Sequence, residues 1–184
     1  VVGVMISYVI PVEGRWRWRR PSAHALLLVM KYCAGGLVFL LAALWRSQGF
    51  ILLWPAVALL VVAAGYAGLG VSVFQKDKNG ELSLSARWLL FPYLAGAWPS
   101  KKWFSRRIAL SNVIYDGMAL GRFPDNTVAQ AAVLDLTAEF HKISCRTKCW
   151  EAYPMMDLVA PEIQSIRQAV ARLRRLRQGH KSVL

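Results

Sequence analysis

The residue with the clearest chemical possibility is Asp157, in the short loop MMDLVAPE ahead of an arginine-rich stretch. A carboxyl in such a loop can serve as a general acid, protonating a departing oxygen, if a neighbouring anion raises its pKa toward working pH. From the sequence pattern alone, an ordinary loop residue before a helix is the better reading. Cys145 and Cys149 form C-x-x-x-C close to His141. Zinc would need a fourth ligand and closer pairing, so free surface thiols are the better reading. Neither cysteine is followed by a glycine-containing loop. Asp116, Asp125 and Asp157 have no spacing that suggests a metal, while Gly117, Gly121 and Pro124 read as turn residues. Asp135 and Glu139, within LDLTAEF, read as structural, the first near a strand end and the second in the following turn. No cofactor and no metal site is expected.

Three stretches in order carry a family resemblance. Val113 to Asp125 is similar to the opening strand and turn of the dual-specificity, or protein-tyrosine-phosphatase-like, family, and Ala132 to Phe140 (AVLDLTAEF) to its V-I-D-L-T-x-E core strand. Asp157, the helix after it, Gly179-His180-Lys181 and the opening Ser182-Val183-Leu184 resemble the approach to its phosphate loop, H-C-x-x-G-x-x-R-S. The resemblance covers residues 108–184 and implies a partial α/β domain cut before the nucleophile cysteine and the phosphate-binding arginine. It implies phosphoric monoester hydrolysis through a phosphocysteine: an acidified thiolate attacks phosphorus, and backbone N–H groups and an arginine hold the oxygens. Asp157 stands where the family keeps its general acid. The expectation is a membrane-anchored phosphatase acting on a phosphoprotein or a phospholipid, of which this chain is an inactive fragment. The alternative is a non-catalytic relative that keeps the anchor and part of the fold for interaction.

The elements that must position Asp157 are legible as periods. Ile163, Ile166, Val170, Leu173 and Leu176 recur at helical spacing. Pro161 suits the first turn of that helix and Gly179 the residue just past its end. Arg167, Arg172, Arg174, Arg175 and Arg177 fill the other faces, and a solvated or anion-facing surface follows. Val113–Leu120 suits a strand, Thr127–Gln130 a helical turn, Ala132–Leu136 a buried strand and Tyr153–Met156 the next, an α/β order. A unit of this size is marginal alone.

Composition places the remainder in a membrane. Of 184 residues 56% are hydrophobic and eight are tryptophan, an apolar excess concentrated in the first hundred. The predicted fold class is therefore a membrane α-helical hairpin followed by that partial α/β domain. Residues 1–81 form the transmembrane region, with spans at 25–45 and 50–74 and the end of an earlier span at 1–12. Val1–Val12 lacks a basic segment and is not a signal peptide. Lys31 can snorkel from the first span to the headgroups. Neither span holds an acidic residue, which argues against an ion or proton path. Gly14–Pro21, GRWRWRRP, reads as an interface loop rather than a nucleic-acid patch, because apolar segments flank it. No nucleic-acid partner is expected despite the +13 net charge. Arginines before the hairpin and Lys76, Lys78 and Arg87 after it put both ends in the cytoplasm, in an inner membrane of bacterial type. Residues 82–107, rich in Trp, Lys and Arg and broken by Pro92 and Pro99, read as an interfacial linker. A third short span is disfavoured by Arg87 and Pro92. The expected partners are the lipid bilayer and a phosphorylated protein or phospholipid. Three cysteines, too few for a disulfide framework, fit a reducing compartment.

Overall fold

Two apolar runs, the first broken by Lys31, become two long helices. In the computed structural model, which describes residues 21–45, 49–115, 117–128, 130–144 and 147–184, helix α1 runs from Ala23 to Trp45. Val1–Val12, Gly14–Arg20, Asp116 and Cys145 lie outside the described residues. Ser22 caps α1, its Oγ accepting from the Ala25 N–H at 3.2 Å. The second run is one helical segment, Gly49–Phe74, made of a 3-10 turn, α2 (Leu53–Ala64), a π-turn and a last 3-10 turn. Pro55 falls in the first turn of α2, directly after the 3-10 turn Gly49–Leu52. The irregular end belongs to glycine: Gly68 (φ 146°) and Gly70 (φ 64°) adopt backbone that side chains avoid. Both helices are long and apolar enough to cross a membrane.

The chain forms two compact units, residues up to Gln75 with Leu82–Ala95, and Lys76–Glu81 with Gly96–Leu184. In the first, α1 and α2 meet where α1 has no side chains. A Cβ on Gly36 would stand 3.1 Å from Leu60 Cγ and 3.3 Å from the Ala56 carbonyl, and one on Gly35 would stand 3.2 Å from Leu59. Small residues thus let the backbones approach. Tyr32 stacks on Tyr66 at 5.6 Å and meets Tyr93 edge-on at 5.8 Å. Most of the remaining apolar side chains of the hairpin, among them Leu27, Met30, Val38, Leu41, Phe50 and Val57, point outward. Residues 84–104 form two short helices, α3 (Leu84–Leu89), capped by Ser83, and α4 (Phe91–Phe104).

The second unit is a small mixed sheet with one long helix. β1 (Asn112–Tyr115) and β2 (Met118–Leu120) are antiparallel, so the expected single strand over 113–120 is instead a hairpin. It turns at Gly117, whose φ of 67° a side chain would resist. β3 (Ala132–Thr137) and β4 (Cys149–Met155) are parallel. The register slips between Asp135↔Ala152 and Thr137↔Met155, one extra residue on β4 beside Pro154, which has no N–H for the ladder. In place of the helical turn expected at 127–130, Asp125 caps a short turn through its bond from the Thr127 N–H. Helix α5 (Ile163–Gly179) starts after Pro161 rather than with it, and Gly179 closes it from inside.

Residues 182–184 join the two ladders. Val183 donates to the Gly117 carbonyl at 2.8 Å and its own carbonyl receives the Ala119 N–H at 2.9 Å. On the other side Leu184 N–H donates to Ala132 O, and Leu134 N–H to Leu184 O. The bridges to Met118 and Ala132 are both parallel, giving the spatial order β1, β2, 182–184, β3, β4. Alternation along these strands serves two faces. Ala132, Val183 and Cys149 pack with Leu173 and Leu176 of α5, while Val133, Trp150 and Leu184 pack with Val128, Leu110 and Phe123.

Candidate functional site

In an open sheet with parallel strands, the carboxyl ends of those strands form the edge where ligands bind. Here that edge is built from the ends of β3 and β4 and from Leu184, which runs parallel to both. Asp157 follows β4 directly, so the sheet delivers it to this edge. It is exposed, and its Oδ1 accepts the N–H of Leu158 at 2.8 Å. That bond supports Leu158 at a φ of 59°, an uncommon conformation for a residue with a branched side chain. The chain then passes Pro161 into α5, which returns it to residues 182–184. β4, the Asp157 turn, α5 and 182–184 are thus one crossover unit.

α5 is clamped to β4 by polar contacts. Arg172 donates to Glu151 at 2.6 Å and lies 4.8 Å over the Tyr153 ring, while Tyr153 donates to Gln168 at 2.6 Å. These bonds hold the middle of α5 against β4. None of them engages the Asp157 carboxylate, which stays open to an incoming group.

Beneath the edge lies a buried ion pair that the sequence did not announce. Lys76 Nζ stands 2.6 Å from Asp135 Oδ2, with both side chains sealed from solvent. The ammonium also donates to the carbonyl of Thr137 at 2.7 Å and to its hydroxyl at 3.2 Å. The other carboxylate oxygen of Asp135 receives the Thr137 N–H at 2.9 Å and its hydroxyl at 2.8 Å. Burial pulls the Lys76 pKa below its usual value, against the attraction of Asp135. Every polar atom of the pair is engaged, which makes Asp135 a structural residue.

A second cation is held by rings. Lys101 Nζ lies 4.3 Å from the Trp98 ring, 4.2 Å from Phe123 and 4.4 Å from Phe140. Burial, with the Arg122 charge adding to it, lowers its pKa to about 8. In the sequence each lysine is only a basic residue close to an apolar stretch. No local signal could have paired them with their partners.

Among the described residues no group of three His, Cys, Asp or Glu side chains converges to hold a metal ion. Cys149 is not the surface thiol expected of it: it is half-buried in β4, packed against the Ala132–Leu176–Val183 cluster. The edge therefore offers one free carboxylate, the start of a helix and the end of a central strand. No family model, curated protein or solved structure matches the chain.

Proposed function

We propose that this chain belongs to a membrane-anchored, cysteine-dependent phosphatase, with Asp157 as its general acid. The position of Ser182–Leu184 carries the reading. These residues are hydrogen-bonded to β2 on one side and β3 on the other, and Val183 is fully buried. A chain continuing from Leu184 would leave the sheet at the edge that bears Asp157, which is where a phosphate loop of the H-C-x-x-G-x-x-R type would put its thiolate beside the acid. Attack of that thiolate on phosphorus expels an alkoxide or phenolate, and Asp157 gives it a proton. No H-C-x-x-G-x-x-R motif occurs within these 184 residues.

The anchor part of the proposal places α1 and Gly49–Phe74 across a bilayer, with both ends on the cytoplasmic side. The outward-facing apolar side chains of the hairpin support it: a core helix of a soluble protein would bury them. A tethered enzyme meets substrates held at the same surface, so a phospholipid or membrane-bound phosphoprotein is the substrate class. The second reading, an anchored non-catalytic relative, predicts no thiolate loop at all.

Sequencing the encoding DNA beyond Leu184 separates the two. An H-C-x-x-G-x-x-R loop in any frame supports the phosphatase. A stop followed by unrelated codons removes it.

A further inference from the structure

Two lysines of the α/β unit are withdrawn from solvent, and they are held in opposite ways. The Lys76 ammonium donates to three oxygens, one of Asp135 and two of Thr137. Among the described residues the Lys101 ammonium makes no hydrogen bond and no ion pair. Its neighbours are rings, with Nζ 4.3 Å from Trp98, 4.2 Å from Phe123 and 4.4 Å from Phe140. Trp98 stands three residues before Lys101 on α4, so ring and ammonium share one helix face. Phe123 and Phe140 follow β2 and β3, and they lean on each other at 5.5 Å. Phe123 also meets the buried Trp150 edge-on at 6.1 Å, which braces the cage from the core side.

Ring faces attract a cation but offer it no lone-pair acceptor. A primary ammonium is therefore a poor occupant: its N–H groups give up water and gain no oxygen in exchange. Methyl groups on the nitrogen remove the donors, keep the charge and add apolar surface against the rings. The spacing suits them. The Arg106 guanidinium comes within 3.6 Å of the Trp103 ring, whereas the Lys101 nitrogen stands further from each of its three rings and leaves a layer for carbon.

We propose that Lys101 is a methylation site and that its di- or trimethylated form is the occupant this cage fits. The co-substrate is a methylsulfonium donor, brought by a methyltransferase that acts on this chain. The neutral amine attacks the methyl carbon, and the C–S bond breaks with its electron pair left on sulfur as a thioether. One amine proton goes to solvent for each methyl gained. Burial, with Arg122 adding to it and Asp135 opposing, lowers the amine pKa to about 8, so the lone pair is available near neutral pH. Trp98 is 43% exposed and leaves its side of the cage open. A diffusible quaternary ammonium would first have to expel Lys101 from the place it already fills. The inference depends neither on phosphatase chemistry nor on the bilayer anchor.

The test is peptide mass spectrometry of the full chain purified from the cell that makes it. Lys101 is expected to carry two or three methyl groups, and the exposed Lys102 beside it none. Unmodified Lys101 overturns the inference, and so does equal methylation of the two lysines. A second measurement uses the full chain made in a host that leaves Lys101 unmodified, then methylated with formaldehyde and a hydride donor. Its unfolding midpoint in detergent should rise by about 2–4 °C. The rise should vanish in Lys101→Arg and in Trp98→Leu, which removes only the most exposed wall. No rise, or an equal rise in Lys101→Arg, denies the cage a preference for a methylated cation. Saturable quenching of Trp98 by tetramethylammonium in the unmethylated chain assigns the cage to a diffusible ligand and overturns the inference as well.

Discussion

Lys76 and Asp135, 59 positions apart in sequence, meet at 2.6 Å with their side chains sealed from water. The lysine follows closely on the second apolar helix, and the aspartate belongs to a central strand of the α/β unit. Through this pair the turn Lys76–Glu81 is built into the sheet. The Ala152 N–H donates to Lys78 O at 2.8 Å and the Lys142 N–H to Gly80 O at 2.7 Å.

Breaking that pair should unfold the α/β unit. Lys76→Met leaves the Asp135 carboxylate buried without its cation, and the expected loss is about 3–5 kcal/mol. The paired replacement Lys76→Met with Asp135→Leu should lose markedly less, since no charge stays behind. Denaturant titration followed by far-ultraviolet circular dichroism compares the two. Equal losses would show that the pair acts through the Thr137 bonds alone.

Gly80 is fixed for two separate reasons. Its φ is 87°, and a Cβ would lie 2.4 Å from Trp150 Nε1. Gly80→Ala must shift either the turn or the ring, at an expected cost of about 1–3 kcal/mol. Quenching of the Trp150 contribution to fluorescence by acrylamide reads the shift directly. An unchanged quenching profile at unchanged stability would contradict the packing described.

Lys101 predicts a pH dependence with a definite sign. Its pKa falls from 10.5 when unfolded to about 8 in the ring cage. Between those two values the unfolded chain holds the proton that the folded chain has released. Stability contributed by this group therefore rises with pH from about 8 to 10.5 and is flat below that window. Lys101→Met removes the proton from both states. The difference in unfolding midpoint between wild type and Lys101→Met should change across this window in favour of wild type as pH rises. A difference independent of pH would mean that the amine is solvated.

Helix packing in the hairpin makes a simpler claim. Gly36→Val inserts a branched side chain where a single Cβ already reaches 3.1 Å from Leu60, and the expected destabilisation is about 1–3 kcal/mol. Gly36→Ala should fall well below it. Thermal unfolding in detergent, followed by helix content, ranks the three proteins. Equal stability of all three would mean that α1 and α2 do not touch at this point.

Legibility in the sequence followed the length scale of the cause. The apolar runs of α1 and Gly49–Phe74 are local and were readable. So was the period of α5, whose Leu173 and Leu176 pack while Ile163 and Ile166 remain exposed. The stub at Ser182–Leu184 was readable as a strand from three residues, and Val183 is fully buried. What could not be read was made by chain crossing: Lys76 with Asp135, and Lys101 among Trp98, Phe123 and Phe140. The hairpin at Gly117 was missed for another reason. VIYDGMAL is apolar on both sides of the turn, and the glycine alone did not outweigh the run. At the site, Asp157 was readable only as a carboxylate in a loop. Its place at the carboxyl edge depends on where α5 returns the chain.

Asp157 itself predicts a separation of activity from stability. Its one local bond is accepted from the Leu158 N–H, and Asp157→Asn keeps an oxygen for it. The substitution should change stability by less than about 0.5 kcal/mol, as at other exposed sites. In a longer protein that carries the thiolate loop, the same change removes the proton donor and should lower kcat by about 10²–10⁴-fold on alkyl phosphates. The loss should shrink on p-nitrophenyl phosphate, whose leaving group departs without a proton. A uniform loss on both substrates would place Asp157 in binding or folding rather than in proton transfer.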